Sequence, residues 1–310
     1  MILIFTHKED YTADFLIEKL NRKKIRYYRL NCEDIFSKSY SINPTSDNPL
    51  SIDGHSKFDS VWFRRFKLPL LEKVESKERL FLLQDFETLF SNIFEVLSPK
   101  VWISKPDKIY RAENKLLQLT EAINLGFHVP ETLITNNHQE LQNFFNDQDK
   151  NVIIKPIRQG RVEMVDGFKN IFTNIIHADT IESIHDFDLT PCIFQKHILK
   201  QYELRITVVN DKVFTVKINS QSNQNTSVDW RKGKSLLIPI TLPAEIEFKC
   251  IELVKKLGLS FGAIDMIYDI DGRYIFLEIN PNGQWAWIEL ETGLPISDAI
   301  ISLLFTNGDD

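Results

Sequence analysis

Asp265, Glu278 and Asn280 are the residues whose types and spacing say most about chemistry. They lie in Gly262-Ala-Ile-Asp-Met-Ile-Tyr-Asp-Ile-Asp-Gly-Arg-Tyr-Ile-Phe-Leu-Glu-Ile-Asn-Pro-Asn-Gly283. Asp271-Gly272 separates two β-branched and aromatic runs and predicts a two-residue hairpin turn. With Ile270 opposite Arg273, Asp265 falls opposite Glu278, and Asn280 shares the Glu278 face. Like charges in that relation repel. Two carboxylates and an amide oxygen on one spot of otherwise apolar strands therefore call for a cation. Oxygen-only ligands suit magnesium or manganese, not zinc or copper. Pro281-Asn282-Gly283 then turns the chain in a way that suits a backbone loop beside phosphate.

Other polar residues stand in apolar settings upstream. Lys155 alternates with Ile153 in Val152-Ile-Ile-Lys-Pro156, where a lysine must snorkel or meet an anion. Lys115 borders a helical stripe of Leu116, Leu119 and Ile123. In Cys192-Ile-Phe-Gln-Lys-His-Ile198 an apolar strand turns polar, and peptide groups leaving a sheet there can bond a flat heterocycle. Glu203 and Arg205 alternate onto one face, and Lys217 and Arg231 are further cations. Taken singly, each has an ordinary surface or ion-pair explanation.

The elements that must carry these residues read as α/β. Residues 1–31 predict strand, helix, strand, the opening of a doubly wound sheet, without the Gly-x-Gly-x-x-Gly turn of a dinucleotide site. Residues 40–56 read as hairpin and loop, Phe58 to Phe66 as a strand, 77–97 as the clearest amphipathic helix and Val101 to Ser104 as a strand. A first domain, 1–105, closes there. In the second, 106–198, the pattern predicts one helix from Ile109 to Leu125 ending at Gly126, strands at 132–135, 151–156 and 162–176 (turning at Asp166-Gly167), and a helix from Gln139. The third, 199–310, predicts strands up to 219, a mobile polar segment at 220–235, a helix from Ala244 to Leu257 and the hairpin. With 43% hydrophobic residues the chain is globular. A net charge of −6 argues against nucleic acid as partner. Cys32, Cys192 and Cys250 lie far apart and read as free thiols of a reducing cytoplasm. The N-terminus reads as a strand rather than a signal peptide, and no run is long enough to span a membrane.

In this order, the pieces resemble the ATP-grasp superfamily over most of residues 100–300, with the N-terminal βαβ unit similar to its Rossmann-like first domain. The resemblance implies an α/β (α+β) fold of first, central and C-terminal domains, with the nucleotide between the last two. It implies that Asp265, Glu278 and Asn280 hold magnesium, two ions, with manganese as the alternative. Lys115 and Lys155 match the nucleotide-binding lysines. Gln195, Lys196 and Ile198 match the adenine hinge, Glu203 the ribose-binding acid and Arg205 the arginine that steadies the transferred phosphate. The single glycine of Gln159-Gly160-Arg161 departs from the usual phosphate loop. A narrower resemblance rests on Val61-Trp-Phe-Arg-Arg65, Lys217-Ile-Asn-Ser-Gln221, Asp229-Trp-Arg231, Asn280-Pro-Asn-Gly-Gln-Trp285 and Glu291-Thr-Gly-Leu-Pro-Ile296. These are similar to the graspetide, microviridin-type, peptide maturases.

That resemblance implies an ATP-dependent ligase of ribosomal precursor peptides. Such an enzyme phosphorylates Asp or Glu side chains and closes ω-esters with Thr or Ser, or ω-amides with Lys. Arg205, Arg231 and Lys217 are the implied catalytic cations, with Arg231 on a lid formed by 220–235. The implied partner is a precursor with a leader and a Thr/Ser/Asp/Glu-rich core, bound to a homodimer. Val165 and Phe168 are candidate leader contacts. The competing expectations are a ligase that adds a free amino acid to a protein or small molecule, a kinase that stops at phosphoryl transfer, and a non-catalytic nucleotide module.

Overall fold

The computed structural model describes residues 1–69, 71, 74–157, 161–164, 167–183 and 192–305, with residues 76, 161–164, 167, 168, 170, 182 and 183 described in backbone only. The Gln159-Gly160 loop and Val165 lie outside the described residues, as does the side chain of Phe168.

The N-terminal part runs β1 (Ile2–Thr6), α1 (Tyr11–Arg22), β2 (Tyr27–Asn31), a hairpin of β3 (Tyr40–Ile42) and β4 (Leu50–Ile52), β5 (Ser60–Phe63), α2 (Ser76–Val96) and β6 (Val101–Ile103). A parallel sheet of order β2-β1-β5-β6 results. Every residue of β1 is buried, and α1 turns Ala13, Leu16 and Leu20 onto it. The strand expected over 58–66 is only four residues long. The amides of Arg64 and Arg65 both reach the carbonyl of Phe5, at 2.9 and 3.5 Å, so the chain curls off the sheet at the arginine pair.

The central part runs α3 (Pro106–Ala112), α4 (Lys115–Asn124), β7 (Thr132–Thr135), α5 (His138–Asp147), β8 (Val152–Pro156), β9 (Arg161–Met164), β10 (Gly167–Asn170), β11 (Asn174–Ile175), α6 (Ala178–Ser183) and β12 (Cys192–Lys196). Its main sheet has the order β11-β8-β12-β7. The single helix expected over 109–125 is two. The Asn114 side chain accepts from the Leu117 amide and starts a new helix there, which puts Lys115 in its first turn. Gly126 ends it with φ 74°. Gly167 is already paired with Met164, not in the turn where it was expected.

The C-terminal part runs β13 (Lys200–Val209), β14 (Lys212–Ile218), β15 (Leu237–Ile240), α7 (Ala244–Lys256), β16 (Phe261–Asp269), β17 (Tyr274–Asn280), α8 (Ala286–Thr292) and α9 (Ile296–Phe305). Its antiparallel sheet has the order β15-β14-β13-β16-β17. Short α6, β15, α8 and α9 were not anticipated. One hydrophobic core joins Leu3, Phe5 and Phe63 of the first sheet to Leu204, Ile206 and Met266 of the third. A second joins Ile2 and Ile4 to Ala263, Trp285 and Ile300. The central sheet keeps a smaller core of its own, around Leu141, Phe145, Val152 and Phe194. Each such apolar side chain contributes about 1.5–3 kcal/mol when buried, so the first and third sheets are joined by many such contributions. Between the central and third sheets lies a cleft of about 500 Å³.

The hairpin holds a correction that cancels itself. Tyr268 faces Tyr274 and Met266 faces Phe276, one residue off the register expected from a two-residue turn. The amide of Asp269 bonds the carbonyl of Arg273 at 3.0 Å, so three residues, Ile270 to Gly272, make the loop. Gly272 takes the left-handed φ of 81° that such a loop needs. The register then shifts between Asp265 and Met266, and Asp265 faces Glu278 after all. Leu277 is the extra residue of that bulge.

Candidate active site

The hairpin brings three of the predicted residues together. The Asn280 amide donates to Asp265 Oδ2 at 3.1 Å and to Glu278 Oε1 at 3.3 Å. Cations from two other elements meet the same carboxylates. Lys115 Nζ, from the first turn of α4, is 2.7 Å from Glu278 Oε2. Arg205 Nη1, the register partner of Asp265 on β13, lies 3.0 and 2.9 Å from its two oxygens. The repulsion between the acids is thus offset by protein charges. Burial pushes the Glu278 carboxyl up, but Lys115 and Lys155 outweigh it and hold it well below the usual carboxylate range. Asp265 moves the other way: burial raises it, Arg205 opposes, and the neighbouring Glu278 raises it further. Lys155 lines the same cleft from β8 with Ile153, the face its alternation predicts. Burial brings its ammonium down to about 8, against the pull of Glu278.

Among the described residues no three His, Cys, Asp or Glu side chains gather as a metal set. The donor set here is two carboxylates and the Asn280 amide, all oxygen once the amide turns its Oδ1 inward, and that chemistry fits a hard divalent cation. A second observation fits a nucleotide. Gln195 is 1% exposed. Its Nε2 donates to Thr132 Oγ1 at 2.8 Å, while its Oε1 is buried with no partner. An unmet acceptor costs about 1–3 kcal/mol, and the exocyclic amine of a purine is a donor that would meet it. Lys196 and Ile198 line the cleft beside it, with the Lys196 side chain exposed. Glu203 is paired with Lys200 at 2.7 Å, both side chains under 8% exposed. Burial raises its carboxyl, and Lys200 opposes that.

Two expected catalytic cations are placed differently. Lys217 sits opposite Leu204, on the sheet face turned away from Arg205 and Asp265. Its ammonium lies 4.2 Å from the centre of the Tyr202 ring, and it is not among the residues lining the cleft. Strand alternation dictates this: Leu204 and Arg205 are consecutive and face opposite ways. Arg231 does line the cleft, but its segment is not a loop standing clear. Asp229, 4% exposed, accepts from Arg231 Nε at 2.8 Å and Nη2 at 2.5 Å, and from the Thr173 amide at 3.3 Å. Trp230 stacks on Trp287 with centroids 5.4 Å apart, and Thr226 Oγ1 donates to the Ser220 carbonyl at 2.6 Å.

Three residues position the rest: Gln118, which the sequence reading does not single out, and Arg64 and Gly283, which stand there within longer stretches without a role of their own. The buried Gln118 amide donates to the carbonyls of Ala112 and Ile279 at 2.7 and 2.8 Å and accepts from the Ile279 amide at 3.1 Å. It pins α4, and with it Lys115, beside Glu278. Its signal was present: a glutamine one helical turn after Lys115, among leucines. Buried Arg64 donates to the Asn282 carbonyl at 2.7 Å, and burial brings its guanidinium down to about 10. Gly283 packs so closely that a Cβ would overlap the Ala263 methyl and stand 2.7 Å from Arg205 Nη2; only glycine fits that turn.

The fold and this arrangement define an ATP-grasp protein. Residues 117–280 match the family model described as prokaryotic glutathione synthetase, ATP-grasp domain, and the chain belongs to that family. Over 99% of its length it is similar to a RiPP-associated ATP-grasp ligase of Chryseobacterium gregarium, seen in complex with ADP and a leader and core peptide, with 28% identity, a TM-score of 0.88 and 97% of that chain covered. It is likewise similar to the macrocyclase MdnC of Microcystis aeruginosa bound with precursor peptide MdnA, with 28% identity, a TM-score of 0.86, and 98% of this chain and 99% of that one covered. A curated relative, N-acetylaspartylglutamate synthase A of Mus musculus, is 24% identical over 214 residues, 65% of this chain. The chain spans about half the length of that relative, 54%. No helix among the described residues is long and apolar enough to cross a membrane.

Proposed function

We propose that this chain is an ATP-dependent ligase that activates Asp or Glu side chains of a ribosomal precursor peptide and closes ω-ester or ω-amide macrocycles with Thr, Ser or Lys. One observation carries the reading. A partly buried carboxylate pair with Asn280 is met by Lys115 and Arg205, with Lys155 in the same cleft, and the stacked Trp230 and Trp287 line that cleft too. The first half suits a nucleotide triphosphate and the second a peptide. Full-length likeness to ligases seen with leader, core or precursor peptides supports it.

The chemistry follows from the groups present. A carboxylate is a poor acyl donor because its leaving group would be oxide. Its attack on the γ-phosphorus releases ADP and makes an acyl phosphate. A hydroxyl or amine then attacks the carbonyl carbon, inorganic phosphate leaves with the electron pair, and the nucleophile loses its proton. Phosphoryl transfer is mainly positioning and charge stabilisation. Asp265, Glu278 and Asn280 would hold divalent metal, two magnesium ions in this reading, whose charge offsets that of the phosphates. Lys115 and Arg205, which here neutralise the two acids, are then free to face phosphate oxygens, and Lys155 holds its proton more firmly beside them. Gln195, Lys196 and Ile198 would receive adenine and Glu203 the ribose. Arg231 keeps Nη1 for the acyl phosphate while Asp229 orients its other two nitrogens. Excluding water protects the intermediate.

The test is mass spectrometry of a co-encoded Thr/Asp/Glu-rich peptide with ATP and magnesium. The reading expects ADP and the loss of one water mass per ring. Addition of a residue mass would favour the amino-acid ligase instead, and a stable phosphorylated product the kinase. Either result overturns the macrocyclase. We further place the enzyme in the cytoplasm, where ATP and reduced thiols coexist, as a homodimer. Leu80 and Phe81 on α2 and Phe36 beside Phe86 leave an exposed apolar patch that a second copy would cover. Phe81→Glu should shift the sedimenting species from dimer to monomer; an unchanged dimer removes that interface.

A further inference from the structure

The cations of the cleft differ in one respect. Lys115, Lys200, Arg205 and Arg231 each hold a carboxylate, those of Glu278, Glu203, Asp265 and Asp229. Lys155, Lys196 and Arg65 line the same cleft without an ion pair among the described residues, and of these three Arg65 alone is a guanidinium, partly buried. Asp10 is paired with Arg64 and Glu9 with Lys67, each at 3.5 Å. No ion pair among the described residues includes Arg65, and its Nε is buried with no hydrogen-bond partner. An unmet buried donor is costly, more so on a charged group. A ligand that meets it regains that cost.

Its place in the fold narrows the ligand. Arg65 stands where the chain curls off the carboxyl end of β5, beside the end of β1. That is the side of an open parallel sheet where ligands bind. Its neighbour Arg64 grips Asn282, so the pair lies at the Pro281–Gly283 end of the metal strand, not at the Gln195–Ile198 end. The proposed phosphate cations Lys115, Lys155 and Arg205 come from α4, β8 and β13, outside the N-terminal part. A guanidinium presents two parallel N–H donors that match a carboxylate. Held that way, the carboxylate has its charge matched by the guanidinium and one lone pair of each oxygen engaged, which makes it a weaker nucleophile toward phosphorus. The fork therefore suits an acid that is recognised, not one that reacts.

We propose that Arg65 is a specificity-determining residue that receives a second, non-reacting Asp or Glu side chain of the core peptide while its neighbour is activated. This rests on the peptide-ligase reading above. It gives the N-terminal sheet a part in choosing substrate, and it makes a core with more than one acid the preferred one.

The test pairs Arg65 variants with a precursor series in which each acidic residue is changed in turn to its amide, reading ADP release and ring formation. Arg65→Ala should raise the peptide KM by about tenfold or more, the cost of one charge-assisted contact, with kcat within about threefold and nucleotide affinity unchanged. One acid-to-amide change should raise KM for the wild type and add nothing in Arg65→Ala. Arg65→Lys, which keeps the charge without the fork, should recover part of the loss and guards against a folding defect in the alanine variant. A wild type that cyclises while Arg65→Ala has the same KM refutes Arg65 alone, as does a penalty equal across the whole amide series. A wild type that neither binds the precursor nor releases ADP with it refutes the peptide reading, and the Arg65 assignment with it.

Discussion

Lys155 is the residue whose charge the fold alters most usefully. Burial in the cleft lowers its ammonium from 10.5 to about 8, and Lys115 and Arg231 push the same way against Glu278. Between those two values the unfolded chain keeps a proton that the folded chain has released. Stability from this group therefore rises with pH across that window, and the full cost of a charged Lys155 is present below about 8. Nucleotide binding runs the other way, because phosphate oxygens favour the charged form. Affinity for ATP should fall as pH rises past about 8, approaching about tenfold per pH unit. In Lys155→Arg that decline should vanish, since a guanidinium keeps its proton there. Calorimetric titration of both proteins across this range decides it, and an equal slope in the variant would assign the proton to another group.

At the scale of elements, α4 and β17 show what a sequence can and cannot tell. Lys115 and Glu278 are both legible, but the 2.7 Å contact between them is set by Gln118, a polar residue among leucines whose partner on β17 the sequence does not name. Its amide meets both polar groups of the Ile279 backbone. Gln118→Leu would leave these buried groups unmet, at about 1–3 kcal/mol each, and would free α4 to drift. The expectation is a lower denaturation midpoint together with weakened nucleotide binding. A variant that loses stability but binds ATP like the wild type would show that Lys115 is placed by something else. The hairpin teaches the same lesson from the other side. Asp265 was set opposite Glu278 by counting from a two-residue turn, whereas a three-residue loop and a bulge at Leu277 produce that pairing. Turn residues announce a hairpin but not its loop length, and a bulge leaves no mark among β-branched residues. Lys217, whose role the resemblance implies, pairs with Leu204 rather than Arg205 and so lies on the other face of the sheet. The apolar helix α9, Ile-Ser-Asp-Ala-Ile-Ile-Ser-Leu-Leu-Phe, packs most of its surface into the core between the first and third sheets and exposes Asp298, Ser302 and Phe305 on one face; with Phe305 on that face and Ser297 buried, its period is weak in the sequence.

Across the whole molecule, the site is assembled by a part of the chain far from it in sequence. The turn after β17 is gripped from the N-terminal part: Arg64, just past β5, holds the Asn282 carbonyl, Thr12 of α1 bonds the Gln284 side chain, and Lys19 of α1 pairs with Glu289 just beyond. Arg205 touches the same turn through the Gln284 carbonyl at 3.3 Å. The N-terminal part thus holds the strand end that follows the candidate metal ligands. Arg64 and Asp10 are both essentially inaccessible, so removing one partner strands the other's charge. Arg64→Met should cost about 3–5 kcal/mol. Adding Asp10→Asn, which removes the stranded charge while keeping an acceptor for Thr6, should restore most of that stability. The double variant would still lack the grip on Asn282. If that grip matters for function, its turnover stays low while its denaturation midpoint and ATP affinity return close to wild type. Full recovery of turnover along with stability would mean that the first sheet only props the fold, and that the turn beside Arg205 holds its shape unaided.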